Sequence, residues 1–281
     1  MRDLPELNVV TFRARGDELE RLPLEAESLD AASARLPAGA YTTLCTYERR
    51  RILRLGDHAA RLEQSARRLD PQMRVVLTRA QLACALGRAL DLTGFPDSRV
   101  RITLAVPGGE LFISVQLFRG LPPELFERGV AAATCPYVGH DTQAKATASI
   151  SSLRGAQSTL PTWAHEGVMV DEDGHILEGL SSNFYAVEDD ILHTAGAGII
   201  MGTIRTVVLE QAAGWLPVVL EPIRLGELSH VDECFITSVS RQVLPVVRID
   251  QQVIGRGVPG AITLELLRRF REHVHACAET V

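Results

Sequence analysis

Lysine is almost absent from this chain. Of 29 basic residues, one is lysine (Lys145) and 29 − 1 = 28 are arginine. Aromatic residues are also few, at 5% of the sequence, so few large rings are available to anchor a core or line a pocket. The five cysteines, Cys45, Cys84, Cys135, Cys234 and Cys277, are odd in number, scattered, and form no CxxC pair. That usage points to a reducing compartment and offers no cysteine metal site. No run of 18 apolar residues occurs, and the first twenty residues carry charges throughout, so the expectation is a soluble cytoplasmic protein without a membrane partner. Basic charge is not in excess either. A net charge of −6 and a pI near 5.8 provide no field that would draw nucleic acid.

What is present suits an ordinary globular chain. At 281 residues, 46% hydrophobic and 23% charged, it can bury one large core or two moderate ones. Arginine can carry surface charge as well as lysine can, but a guanidinium stays protonated and is a poor nucleophile. Only a lysine amine can lose its proton and attack a carbonyl. A sequence that keeps one lysine therefore directs attention to imine chemistry at that position. The histidines His140, His165, His175, His193 and His230 show no ligand-like spacing.

Along the chain, Ala40–Tyr47 and Ile52–Leu55 read as a hairpin, with Asp57 the expected N-cap of a helix from His58 to Leu69. Residues 18–36 show no clean periodicity. Thr78–Leu92 reads as a second amphipathic helix, with Leu82, Leu86 and Leu90 on one face, followed by strands at Arg99–Val106 and Leu111–Phe118. Beyond a connection at 121–128, strands are expected at Gly129–Ala133, Val168–Val170, Ile176–Glu178, Asn183–Val187, Glu233–Thr237 and Val243–Ile249. Helices are expected from Ser149, from Gly202 and over Ala261–Val274, and Asp171–Gly174 reads as a turn rather than a calcium loop. The organisation is expected to be α+β or α/β in class, with a small N-terminal α/β domain over 1–120 and a larger C-terminal one over 129–281.

Several short strings fall into a recognisable order. His58-Ala59-Ala60-Arg61-Leu62 comes first, then Lys145, then Glu178-Gly179-Leu180-Ser181-Ser182-Asn183-Phe184 thirty-three residues later. Gly202-Thr203-Ile204-Arg205 and Thr237-Ser238 follow. In that order and spacing the chain resembles the class IV aminotransferases, the pyridoxal-phosphate (PLP) enzymes of fold type IV. That family includes branched-chain and D-amino-acid aminotransferases and aminodeoxychorismate lyase, and the likeness runs from about Gly39 to Val247. It implies two domains, the larger one β-barrel-like with flanking helices, and a homodimer acting on amino-acid and 2-oxo-acid substrates.

The resemblance also implies roles. Lys145 would hold PLP as a Schiff base and move the proton of the reaction, and Glu178 would pair with the pyridinium nitrogen. Arg61 would grip the phosphate, with Thr203 and Ile204 offering backbone N–H groups from a helix start and Thr237 and Ser238 adding contacts. Asn183 would support the loop beneath the ring, and Tyr41 would line the substrate pocket. Departures stand beside these: Ile150 where many members have a tyrosine, Cys45 where some branched-chain enzymes have an arginine, and Val239 in place of a hydroxyl. The R-x-H carboxylate trap of the D-amino-acid enzymes is not found after Arg119-Gly120. An aminotransferase is the reading expected first; a lyase of the aminodeoxychorismate type and an inactive relative are the alternatives.

Overall fold

The computed structural model describes residues 9–16, 18–74, 77–137 and 144–281. His140 lies outside these. The chain forms two units, one of Met1–Arg119, Gln143–Ile150 and Cys277–Val281, the other of Gly120–Thr142 and Ser151–Ala276.

In the first unit the elements are β1 (Val9–Arg15), β2 (Glu18–Arg21), α1 (Leu29–Ser33), β3 (Gly39–Tyr47), β4 (Arg51–Ile52), α2 (Leu55–Leu69), α3 (Arg79–Thr93), β5 (Ser98–Ala105) and β6 (Leu111–Leu117). The sheet order is β4-β3-β5-β6-β1-β2, with the chain's last strand, Glu279–Thr280, added beside β4. Side chains alternate between faces along a strand, so Ala40, Thr42 and Leu44 of β3 share one face. That face, with Val100, Ile102, Leu104, Ile113 and Val115, packs against Leu55, Leu62 and Ala66 of α2 and Leu82, Leu86 and Leu90 of α3. Each large aliphatic side chain buried there contributes about 1.5–3 kcal/mol.

Two local expectations need correction. The return strand of the first hairpin is only Arg51–Ile52, because Leu55 already belongs to α2 and is fully buried. The N-cap of α2 is accordingly Arg54, in left-handed backbone at φ 56, rather than Asp57. Burying Leu55 pulls the helix start toward the core. Asp57 then sits within the first turn, where a negative charge suits the positive end of the helix. The second helix starts as its sequence suggests: Thr78 accepts from the Gln81 N–H and Gln81 returns the bond, and Gly94 closes the other end at φ 67. The stretch 18–36, without legible periodicity, holds β2 and α1.

The second unit contains α4 (Pro123–Arg128), β7 (Val130–Pro136), α5 (Ser149–Ser158, whose first two residues belong to the first unit), β8 (Glu166–Val170), β9 (Ile176–Gly179), β10 (Asn183–Glu188), β11 (Ile191–His193), α6 (Thr203–Ala212), β12 (Val218–Val219), β13 (Glu233–Ser238), β14 (Gln242–Ile249), β15 (Gln252–Val253) and α7 (Ala261–Cys277). Six strands close on themselves in the order β10-β13-β14-β7-β8-β9, the ring being completed by pairing of Asn183 with Glu178. The result is a barrel-like sheet. β7 is parallel to both its neighbours, which requires long crossover connections, and the remaining ring pairs are antiparallel. Tyr185 and Phe235, both fully buried on neighbouring strands, stack with centroids 4.5 Å apart.

Candidate active site

Three of the expected residues lie together in the first unit. Lys145 precedes α5 in an extended segment laid against the end of β3. The Tyr41 N–H donates to the Lys145 carbonyl at 2.8 Å, the Thr147 N–H donates to the Gly39 carbonyl, and Ala40 and Ala146 bridge. The Lys145 N–H donates to Ser65 Oγ on α2 at 3.1 Å, so one backbone segment is pinned to both a strand and a helix. From there Nζ reaches over the Tyr41 ring, 5.2 Å from its centroid. The Arg101 guanidinium lies 4.7 Å from the same centroid, itself held by Asp30 at 2.6 Å and by Ser33 and Thr43. Burial pushes the Tyr41 phenol above its ordinary range, and Arg101 and Arg61 partly offset that.

Arg61 stands on α2 one turn before Ser65. Its Nη2 donates to Thr42 Oγ1 at 2.7 Å, and His58 Nδ1 lies 2.8 Å from the same hydroxyl. The Arg61 Nε is buried and has no hydrogen-bond acceptor among the described residues, nor is a carboxylate among them within ion-pair distance. Burial pulls this guanidinium down to about 10, with Tyr41 and Asp57 pulling the other way. A buried cation whose N–H lacks an acceptor is costly, and an oxyanion placed there would supply what the protein withholds.

The remaining expected residues lie together in the second unit. Glu178, Asn183 and Thr237 sit side by side on β9, β10 and β13, since Asn183 is the register partner of both others. Glu178 is 3% exposed, and its Oε2 accepts from the Ile200 N–H at 3.1 Å and, weakly, from Asn183 Nδ2 at 3.5 Å. Asn183 Nδ2 also donates to the Ile200 carbonyl at 2.8 Å. The start of α6 is drawn in close: a Cβ on Gly202 would meet Asn183 Oδ1 at 2.5 Å, so only glycine allows the approach. Among the described residues no side chain caps this helix start, which leaves the Thr203 and Ile204 region without a side-chain acceptor. Thr237 turns its hydroxyl toward Tyr185 Oη at 3.4 Å, and Ser238 Oγ accepts from the Arg241 N–H at 3.3 Å.

Sequence inspection did not single out Thr42, Ser65, Glu166 or Arg241. Glu166 is fully buried at the start of β8. It accepts from Ser181 and Ser182 hydroxyls at 2.9 and 3.0 Å and pairs with Arg241 at 3.3 Å, so it props the loop between Glu178 and Asn183. A carboxylate at the head of a short apolar strand gives no sign of that in one dimension. Ile150, at the place of the family tyrosine, is buried. On the β8–β9 turn, Asp171, Asp173 and His175 gather their ligand-type atoms within 4.8 Å, but Asp171 already accepts from the Asp173 and His175 N–H groups, which closes the turn.

Residues 39–249 match the family described as amino-transferase class IV, about three quarters of the chain. A D-alanine aminotransferase of Bacillus licheniformis is 27% identical over 229 residues, covering 75% of this chain and 79% of that one. Among solved structures, a branched-chain aminotransferase of Thermoproteus uzoniensis with norvaline superposes with a TM-score of 0.76 at 24% identity, over 96% and 95% of the two chains. The branched-chain amino acid aminotransferase of Escherichia coli gives 0.76 at 19% identity, over 97% and 96%. The chain belongs to the class IV amino-transferase family and is an aminotransferase whose cofactor is pyridoxal phosphate.

Proposed function

We propose that this aminotransferase moves an amino group between an amino acid and a 2-oxo acid, with Lys145 as its catalytic residue. The observation that carries this reading is the setting of the chain's one lysine. It is fixed through its backbone to β3 and α2, with its amine over Tyr41 and, on the same helix, a guanidinium without a carboxylate partner among the described residues. When bound, PLP supplies an aldehyde that carries the amino group and a protonated ring that draws electrons from the reacting carbon. The residues present suit it in the chemistry of their donors: an amine, a buried carboxylate and, among the described residues, a guanidinium N–H without an acceptor and a helix start without a side-chain cap.

In this reading Lys145 would hold the cofactor through its amine and would take and return the proton at the substrate's α carbon. Glu178, held by the Ile200 N–H, would keep a proton on the ring nitrogen, and Asn183 fixes both the Glu178 carboxylate and the loop at Ile200. Arg61, the Thr203 and Ile204 N–H groups, Thr237 and Ser238 would bind the phosphate. Tyr41 bounds the space in which the substrate lies.

Borohydride reduction followed by peptide mapping tests the assignment. A reduced pyridoxyl group on the peptide containing Lys145, absent together with turnover in Lys145→Arg, is the expected result; a label elsewhere refutes it. An aminotransferase given an amino donor alone stops after one equivalent, whereas a lyase continues. Family resemblance further supports a homodimer, and the five free, scattered cysteines a cytoplasmic setting; light scattering and cell fractionation check each.

A further inference from the structure

The helix-facing row of β3 reads Ala40, Thr42, Leu44, and its middle member is fully buried yet polar. Opposite it α2 places His58, 1% exposed. A hydroxyl and an imidazole in an apolar layer each cost free energy unless their hydrogen bonds are made. Valine would fill the volume of Thr42 and suits a strand equally well, so packing does not explain the threonine.

The hydrogen bonds do. An arginine can only donate, so Arg61 Nη2 gives a proton to Thr42 Oγ1 at 2.7 Å. His58 Nδ1 lies 2.8 Å from that oxygen and 3.5 Å from Arg61 Nη2. A protonated Nδ1 would point a positive N–H at a guanidinium. The compatible arrangement has a bare Nδ1 accepting from the threonine hydroxyl, with the ring neutral and its proton on Nε2. Burial, Arg61 and Lys145 all hold His58 well below the ordinary imidazole range, which agrees. The result is a one-way chain from Arg61 through Thr42 to His58. It uses one donor of the guanidinium and leaves the buried Nε–H without an acceptor among the described residues.

We propose that Thr42 and His58 are positioning residues that orient Arg61 so that its open N–H groups meet the phosphate of the cofactor. Neither touches the cofactor itself. This rests on Arg61 being the phosphate ligand, and it adds why a threonine and a histidine occupy an otherwise apolar layer: without the Thr42 acceptor the guanidinium can turn away, and without His58 the threonine proton has no partner to fix the hydroxyl.

The test titrates the apoenzyme, by absorbance, with pyridoxal phosphate and separately with pyridoxal, which has the aldehyde but not the phosphate. Thr42→Val and His58→Leu should each weaken pyridoxal phosphate about tenfold, on the scale of one charge-assisted hydrogen bond, and leave pyridoxal unchanged. Thr42→Ser should bind as the unaltered protein does. In an Arg61→Ala background, Thr42→Val should cause no further loss. Equal weakening of both compounds, no weakening of either, or an undiminished effect without Arg61 overturns the proposal. If Arg61→Ala itself leaves the ratio of the two affinities unchanged, the reading of Arg61 fails first. The two variants change different elements, so misfolding of one leaves the other to decide.

Discussion

Gly179 follows the buried Glu178 and lies on β9 with an ordinary backbone conformation, so a methyl group there costs nothing in φ and ψ. The obstacle is space. A Cβ at this position would overlap Ser182 Oγ and press on Glu166 Cγ and Cδ at 3.1 and 3.3 Å. Gly179→Ala must therefore push the Ser182 hydroxyl off Glu166, breaking a 3.0 Å bond to a fully buried carboxylate. Overpacking of this kind costs about 1–3 kcal/mol and the lost bond to a charged acceptor about 1.5–3, while replacing glycine returns about 0.4–1 through the unfolded chain. The net expectation is about 3 kcal/mol. Ser182→Ala alone loses the bond without the clash, or about 2 kcal/mol. The double variant is decisive: with no hydroxyl to collide with, it should lose about 2 kcal/mol, not the roughly 5 that independent effects would give. Urea unfolding followed by tryptophan fluorescence measures this, since Trp163 and Trp215 both belong to the unit that holds Gly179. A double variant that loses the full sum, or a Gly179→Ala protein as stable as the parent, refutes the reasoning.

Two other perturbations test the electrostatics. Arg241→Ala leaves Glu166 buried without its opposing charge and should cost about 3 kcal/mol, part of it recovered by adding Glu166→Gln; a loss below about 0.5 kcal/mol would mean the pair behaves as a surface contact. His58 has a folded pKa far below its ordinary 6.5, so below that pH the unfolded chain takes up a proton that the folded chain excludes. Stability from this group is complete above pH 6.5 and is lost on acidification, at a rate approaching about 1.4 kcal/mol per pH unit. His58→Gln should flatten the urea-derived stability profile between about pH 6.5 and about 5 by that slope, and parallel profiles would contradict it.

The roster of candidate residues was legible in one dimension because the chemistry demands particular side chains. A single lysine, a glutamate before glycine and a G-x-x-R string can be read without coordinates. Strand and helix positions followed from period-2 and period-3.6 apolar spacing, and the errors fell where burial of one residue overrode local signals. Leu55 is the clearest case: the core claims it, and the helix cap moves from Asp57 to Arg54.

Composition and motif order by themselves pointed to the family, to Lys145 as the candidate imine-forming amine and to Glu178 as the candidate acid, because each depends on functional groups and their sequence. Only the tertiary structure decided that Lys145–Thr147 packs against β3 and so sets Lys145 over Tyr41. It also decided that Asn183 stands between Glu178 and Thr237, and that Thr42 and His58 turn toward Arg61 from a layer that otherwise reads as apolar core. Such contacts join residues far apart in the chain, and their partners are chosen by strand register and helix packing, quantities that no local pattern encodes.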